Sequence, residues 1–181
     1  KGDRGAGPFG QRGDLTMQRR TLLATLVLSP LTGCGFALRG QQDFAFTSFT
    51  STFAPSSTLG SELMRSLESS EKVRVIREPA RAAEAQVVME VLNDTREKVV
   101  VGVGTAGQVR EFQLRVRLIF RLRTAQGKEL IPETELLQQR DVSFNETAVL
   151  AKESEEGLVY RNMQSDIVQQ ALRRLSAVRS L

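Results

Sequence analysis

The sequence predicts an α+β fold, a two-layer domain in which a mixed four-stranded sheet carries two helices packed on one face. Three stretches of the 181-residue chain lead to it. From Glu111 to Arg123, the residues Phe112, Leu114, Val116, Leu118, Phe120 and Leu122 alternate with Glu111, Gln113, Arg115, Arg117, Ile119, Arg121 and Arg123. A period of two sends the two sets to opposite faces of a strand, leaving one apolar face to bury. Leu59, Leu63 and Leu67 recur four residues apart, and Leu158, Met163, Ile167, Ala171 and Leu175 form a longer stripe widened by Val159 and Val168. Each stripe gives a helix an apolar side that can cover the sheet.

Phe44, Phe46 and Phe49, in a Thr/Ser-rich run, read as a first strand. Pro55-Ser-Ser-Thr58 offers helix-start residues ahead of Leu59, with Glu62, Arg65 and Glu68 turned away from the leucines. Val73 to Ile76 is a brief strand stopped by Pro79. Gln86 to Leu92 and Glu97 to Val103 are strand segments separated by the polar Asn93-Asp-Thr-Arg96, which is either a bulge or a bend. The long strand then runs over 109–123, and Thr124-Ala-Gln-Gly-Lys128 turns the chain into a further strand ending near Val142. Glu153, Glu155 and Glu156 precede the last helix, while Arg173, Arg174 and Arg179 close it. Each sign sits at the end that the helix dipole favours.

Gly102-Val-Gly104-Thr-Ala-Gly107 has the G-x-G-x-x-G spacing of a dinucleotide-binding turn. That turn works only where a helix follows, because the pyrophosphate rests on the free N–H groups of a helix N-terminus. Here a strand follows. The five residues Gly104 to Gln108 therefore read as the tip of a β-hairpin, with glycine supplying a positive φ. No cofactor is expected.

The chain has a net charge of +4 and a pI near 9.7, which raises anionic partners as a class. Five of the 25 basic residues but only two of the 21 acidic ones fall within residues 1–33, so the rest of the chain is nearly neutral. A nucleic-acid partner is not expected. From Met17 the chain has the parts of an export signal: Arg19 and Arg20, the apolar run Thr21 to Leu28, then small residues. The apolar run is too short to span a bilayer. It ends Leu31-Thr-Gly-Cys34, which resembles the bacterial lipobox, where the cysteine takes a diacylglycerol and the leader is cut away. On this reading residues 1–16 are an upstream extension outside the fold, 17–33 a lipoprotein signal peptide, and 34–181 one domain anchored through Cys34.

General acid–base and metal sites draw mostly on histidine, cysteine or clustered carboxylates. The chain has no histidine and one cysteine, itself the expected lipid attachment point. Neither catalytic nor metal-ligating residues are expected, and Glu153, Glu155 and Glu156 read as an exposed acidic first helical turn. Arg115, Arg117, Arg121 and Arg123 share one strand face, which is either a solvated outer surface or a contact for ligand or partner.

Three segments resemble the LptE family of lipopolysaccharide-assembly lipoproteins: Cys34 to Gly40 (CGFALRG), Gly107 to Leu122 (GQVREFQLRVRLIFRL), and Ala148 to Leu175 with its Leu-Ala-Lys-Glu entry. The resemblance covers essentially all of residues 34–178. It implies a two-helix, four-stranded domain that sits as plug and assembly partner inside the outer-membrane β-barrel LptD, passing lipopolysaccharide to the outer leaflet. Gly35 in place of aspartate after the cysteine implies outer-membrane delivery, with the domain facing the periplasm and the barrel lumen. The family's lipopolysaccharide contact implies a role for Lys152. Its second basic position, at the hairpin tip, is Thr105 here, with Arg110 the nearest cation. The rival expectation is a free-standing envelope lipoprotein that binds a small ligand or stabilises the envelope.

Overall fold

The computed structural model describes residues 43–144 and 149–181, together with Gly2, and leaves the side chains of residues 149–152 undescribed. The expected leader, the 1–16 extension and Cys34 lie outside the described residues. The elements are β1 (Ser48–Ser51), α1 (Thr58–Glu68), β2 (Arg74–Val75), a 3-10 segment (Pro79–Glu84), β3 (Val87–Val103), β4 (Val109–Thr124), β5 (Glu129–Ser143) and α2 (Val149–Ser176). They form one mixed sheet in the order β2-β1-β3-β4-β5, with β1 parallel to both β2 and β3 and the remaining pairs antiparallel.

The α+β architecture is as expected, but the sheet has five strands and not four. The two segments on either side of Asn93 are one 17-residue strand, and both short strands of the N-terminal half join the sheet beside it. β1 holds only Phe49 of the three phenylalanines. Phe44 and Phe46 lie before it, with ring centroids 5.4 Å apart, and Phe46 is 6.1 Å from Phe49.

α1 begins where Ser57 caps it, the hydroxyl accepting the Gly60 N–H at 2.8 Å. Leu59, Leu63 and Leu67 are buried, as their spacing demands. They meet Leu114, Val116, Leu118, Phe120 and Leu122 of β4 together with Met163, Ile167, Val168 and Ala171 of α2 in one core. Each such aliphatic side chain contributes about 1.5–3 kcal/mol by leaving water.

α2 departs from expectation twice. It starts at Val149, so Glu153, Glu155 and Glu156 lie inside it, beyond its first turn, and Lys152 belongs to the first turn itself. Alanine, lysine and glutamate are good helix formers, and they carry the helix upstream past Gly157. Leu158 is 54% exposed, and among the described side chains of α2 the buried stripe instead begins at Tyr160. At 100° per residue Leu158 lies about 140° round the helix from Met163, whereas Tyr160 lies about 60° from it.

Candidate functional site

The geometry of the site starts from one extra residue in β3. Val91 pairs with Phe120 and Asn93 with Ile119, so Leu92 is a bulge that leaves its side chain 47% exposed. A bulge changes which residues of a strand face which way. Before it, Val87 and Met89 are buried against the helices. After it, Asp94, Arg96, Lys98 and Val100 stand opposite Leu118, Val116, Leu114 and Phe112, on the helix side. The distal half of the hairpin thus turns charge, and not more hydrocarbon, toward α1 and α2.

Those charges are used. The Lys98 ammonium meets Glu156 of α2 at 2.6 Å and sits 4.3 Å from the centre of the Phe112 ring. The Arg96 guanidinium lies 3.5 Å from the centre of the Tyr160 ring, a cation–π contact. The Tyr160 hydroxyl donates to the Glu97 carbonyl at 2.6 Å. Burial holds this phenol above its ordinary pKa, against the opposing pull of Arg96, so it remains a donor. Sequence reasoning missed Arg96, Lys98 and Tyr160. The one available signal was the break in alternation at Asn93.

Beyond these contacts the hairpin runs on to a tip built as expected. The Gly104 N–H bonds the Gln108 carbonyl at 2.7 Å, the Gly107 N–H bonds the Gly104 carbonyl at 2.9 Å, and Gly107 takes φ +77°. Val99, Val100, Val101 and Val103 are 36 to 61% exposed along this arm. Thr105 is exposed at the tip, and Arg110, also exposed, donates to the Gln108 side chain at 3.2 Å. The end of β5 returns beside Arg110, whose carbonyl accepts the Phe144 N–H at 2.8 Å, and the Phe112 and Phe144 rings meet edge to face. Glu153, Glu155 and Glu156 line a small cavity with Phe112 and Phe144. The first turns of α2, including the backbone of Lys152, therefore lie at the same end of the domain as Arg110. The Lys152 side chain is outside the described residues.

The arginine face of β4 is largely matched by acids. Arg121 donates to Glu90 at 2.5 Å, Arg123 pairs with the other oxygen of Glu90, and Arg117 reaches Glu135 at 3.3 Å. Arg115 donates to the Gln113 amide oxygen at 2.7 Å. Among the described residues no helix is long and apolar enough to cross a membrane.

A five-stranded sheet under two helices, with a long hairpin arm bearing exposed valines, defines a two-layer α+β module. A solution structure of uncharacterized lipoprotein B from Nitrosomonas europaea is 34% identical, with 79% of this chain and 91% of that one covered and a TM-score of 0.66. A minor lipoprotein from Acinetobacter baumannii (18% identity, 75% and 94% covered, TM-score 0.58) and rare lipoprotein B from Shewanella oneidensis (17%, 72% and 93%, 0.57) share the fold. No curated protein matches the chain. The family model described as LptE, lipopolysaccharide-assembly, matches residues 43–175, and the chain belongs to that family. It is a family of assembly lipoproteins and not of enzymes.

Proposed function

We propose that this chain is a lipid-anchored outer-membrane protein that plugs and helps assemble an LptD-like β-barrel and assists delivery of lipopolysaccharide to the outer leaflet. The family match over residues 43–175 carries the reading. The hairpin arm supports it: four partly exposed valines on a 17-residue strand suit contact with a partner wall better than contact with water. Cys34 provides the anchor, because acyl chains contribute about 0.8 kcal/mol per buried CH₂. Lys152, Arg110 and Thr105 form the lipopolysaccharide contact, two cations and a hydroxyl suited to phosphate oxygens.

Detergent extraction of outer membranes followed by affinity purification of the chain tests the reading. A stable complex with a large β-barrel, identified by mass spectrometry, is the expected result. Recovery of the chain alone, in its native host, overturns it. Cys34→Ala should move the chain to the soluble periplasmic fraction in cells lacking the barrel. Retention on the membrane there removes the anchor from the proposal.

A further inference from the structure

Away from the hairpin tip, a groove of about 610 Å³ lies between α1, the middle of α2 and the distal half of β3. Three arginines from three elements line it: Arg65 of α1, Arg96 of β3 and Arg161 of α2. The groove also contains two carboxylates, and both are committed to the scaffold. Asp94 accepts the Ser57 hydroxyl at 2.6 Å, and Glu62 accepts the Gln164 amide at 2.6 Å. Among the described residues none of the three arginines is ion-paired to a carboxylate. Arg96 is held over the Tyr160 ring, and the Arg65 Nε donates to the Ser61 carbonyl at 3.3 Å, so two of the three guanidinium groups are oriented in advance.

Guanidinium groups recognise phosphoryl oxygens through paired, charge-assisted hydrogen bonds. The volume falls within the range of small-ligand sites, well beyond the needs of a lone phosphate. Asn162 and Ser165 complete the lining with neutral donors and acceptors of the kind that sugar hydroxyls engage. We infer that this groove binds a phosphorylated saccharide, its phosphoryl group on Arg65, Arg96 and Arg161 and its sugar hydroxyls toward Asn162 and Ser165. The same chemistry occurs in a free sugar phosphate and in a glycolipid headgroup.

Tyr160 is the chain's single tyrosine and there is no tryptophan, so intrinsic emission reports on this groove directly. The full chain is titrated at low ionic strength with glucose 1-phosphate, inorganic phosphate and glucose. A saturable change with glucose 1-phosphate, at least tenfold weaker for inorganic phosphate and absent for glucose, is expected. Arg161→Gln should weaken the sugar phosphate tenfold or more with an unchanged melting temperature, and Arg161→Lys should recover part of the loss. Arg174→Gln, in the last turn of α2 and outside the groove, should bind as wild type. Competition by lipopolysaccharide that disappears after its enzymatic dephosphorylation identifies the headgroup as a ligand source, and competition only by free sugar phosphates identifies the other. No saturable response, an equal response to glucose or inorganic phosphate, or equal damage from Arg174→Gln overturns the inference. None of these measurements involves the barrel, so a failed co-purification and a failed titration are separate results.

Discussion

Glu90→Gln is the perturbation that asks whether the arginine face of β4 is structural. Glu90 stands opposite Arg121 in the sheet, and its two oxygens serve Arg121 and Arg123 separately. The Glu90 side chain is only 15% exposed, the two arginines 46% and 44%. Exposed ion pairs contribute roughly 0.2–1 kcal/mol each, and shielding of the shared acid moves both toward the upper end. Removing the charge also leaves two guanidinium groups two residues apart on one face without their common counter-ion. Glutamine can keep one hydrogen bond, so the net cost is about 1–2 kcal/mol, a drop of roughly 3–8 °C for a domain of this size. Thermal melts at low salt and in molar salt measure it, and the deficit should shrink in salt as screening weakens the pairs in the wild type. Arg121→Gln and Arg123→Gln should each cost less than Glu90→Gln. If Glu90→Gln melts with the wild type at low salt while the arginine variants weaken lipopolysaccharide binding, the face is a ligand surface and the reasoning fails.

Three other outcomes follow from the contacts described. Ser57→Ala removes both the α1 cap and the hydroxyl bonded to Asp94, and should lower stability by about 1–2 kcal/mol in chemical denaturation; a value within 0.3 of zero would show that the helix start is set elsewhere. Tyr160→Phe should cost about 0.5–1.5 kcal/mol at neutral pH. Because burial raises the phenol's pKa in the folded state, that contribution is full below the ordinary value of 10.0 and is lost as pH rises through the folded pKa. Wild type and the Phe variant should therefore converge in stability under strongly alkaline conditions, and a constant gap would contradict the assignment. Lys152→Asp places a negative charge in the first turn of α2, where the helix dipole favours it by roughly 0.3–1 kcal/mol, so its melting temperature should hold or rise. Lipopolysaccharide binding should nevertheless fall, most of all at low ionic strength. Unchanged binding there removes Lys152 from the proposed lipopolysaccharide contact.

The parts of the fold that the sequence announces are those in which one physical rule acts alone. The run from Glu111 to Arg123 alternates without a break because β4 lies between two long strands, with core on one face and water on the other. The leucines of α1 are equally plain, since a short helix on a core needs just one stripe. β3 is harder to read because two rules meet in it. Val87 and Met89 follow core alternation, and the bulge at Leu92 then inverts the parity, so Asp94, Arg96 and Lys98 look solvent-facing in the sequence and are helix-facing in the fold. Tyr160 was hidden for a related reason: its ring is covered by Arg96, and no pattern within α2 records a partner supplied by another strand. The groove arginines come from three elements, a convergence visible only in the fold.

This division along β3 also bears on how the domain can bind without losing stability. The half of the sheet before the bulge carries Val87 and Met89 against Phe46, Phe49 and the leucines of α1, and that burial supplies much of the folding free energy. The half beyond it is joined to the helices by polar contacts, Lys98 to Glu156 and Tyr160 to Glu97, contributing roughly 0.2–1 and 0.5–1.5 kcal/mol. Interactions of that size can be exchanged for contacts with a ligand or a partner wall while the core stays intact. A shift of parity at a single residue thus separates the part of the strand that holds the fold from the part free to serve an interface. Deleting Leu92 should bring the Val91–Phe120 and Asn93–Ile119 pairs into one unbroken ladder and leave Asp94, Arg96 and Lys98 facing the helices, whereas absorbing Leu92 into the ladder by a one-residue slip would turn Thr95 and Glu97 there in their place.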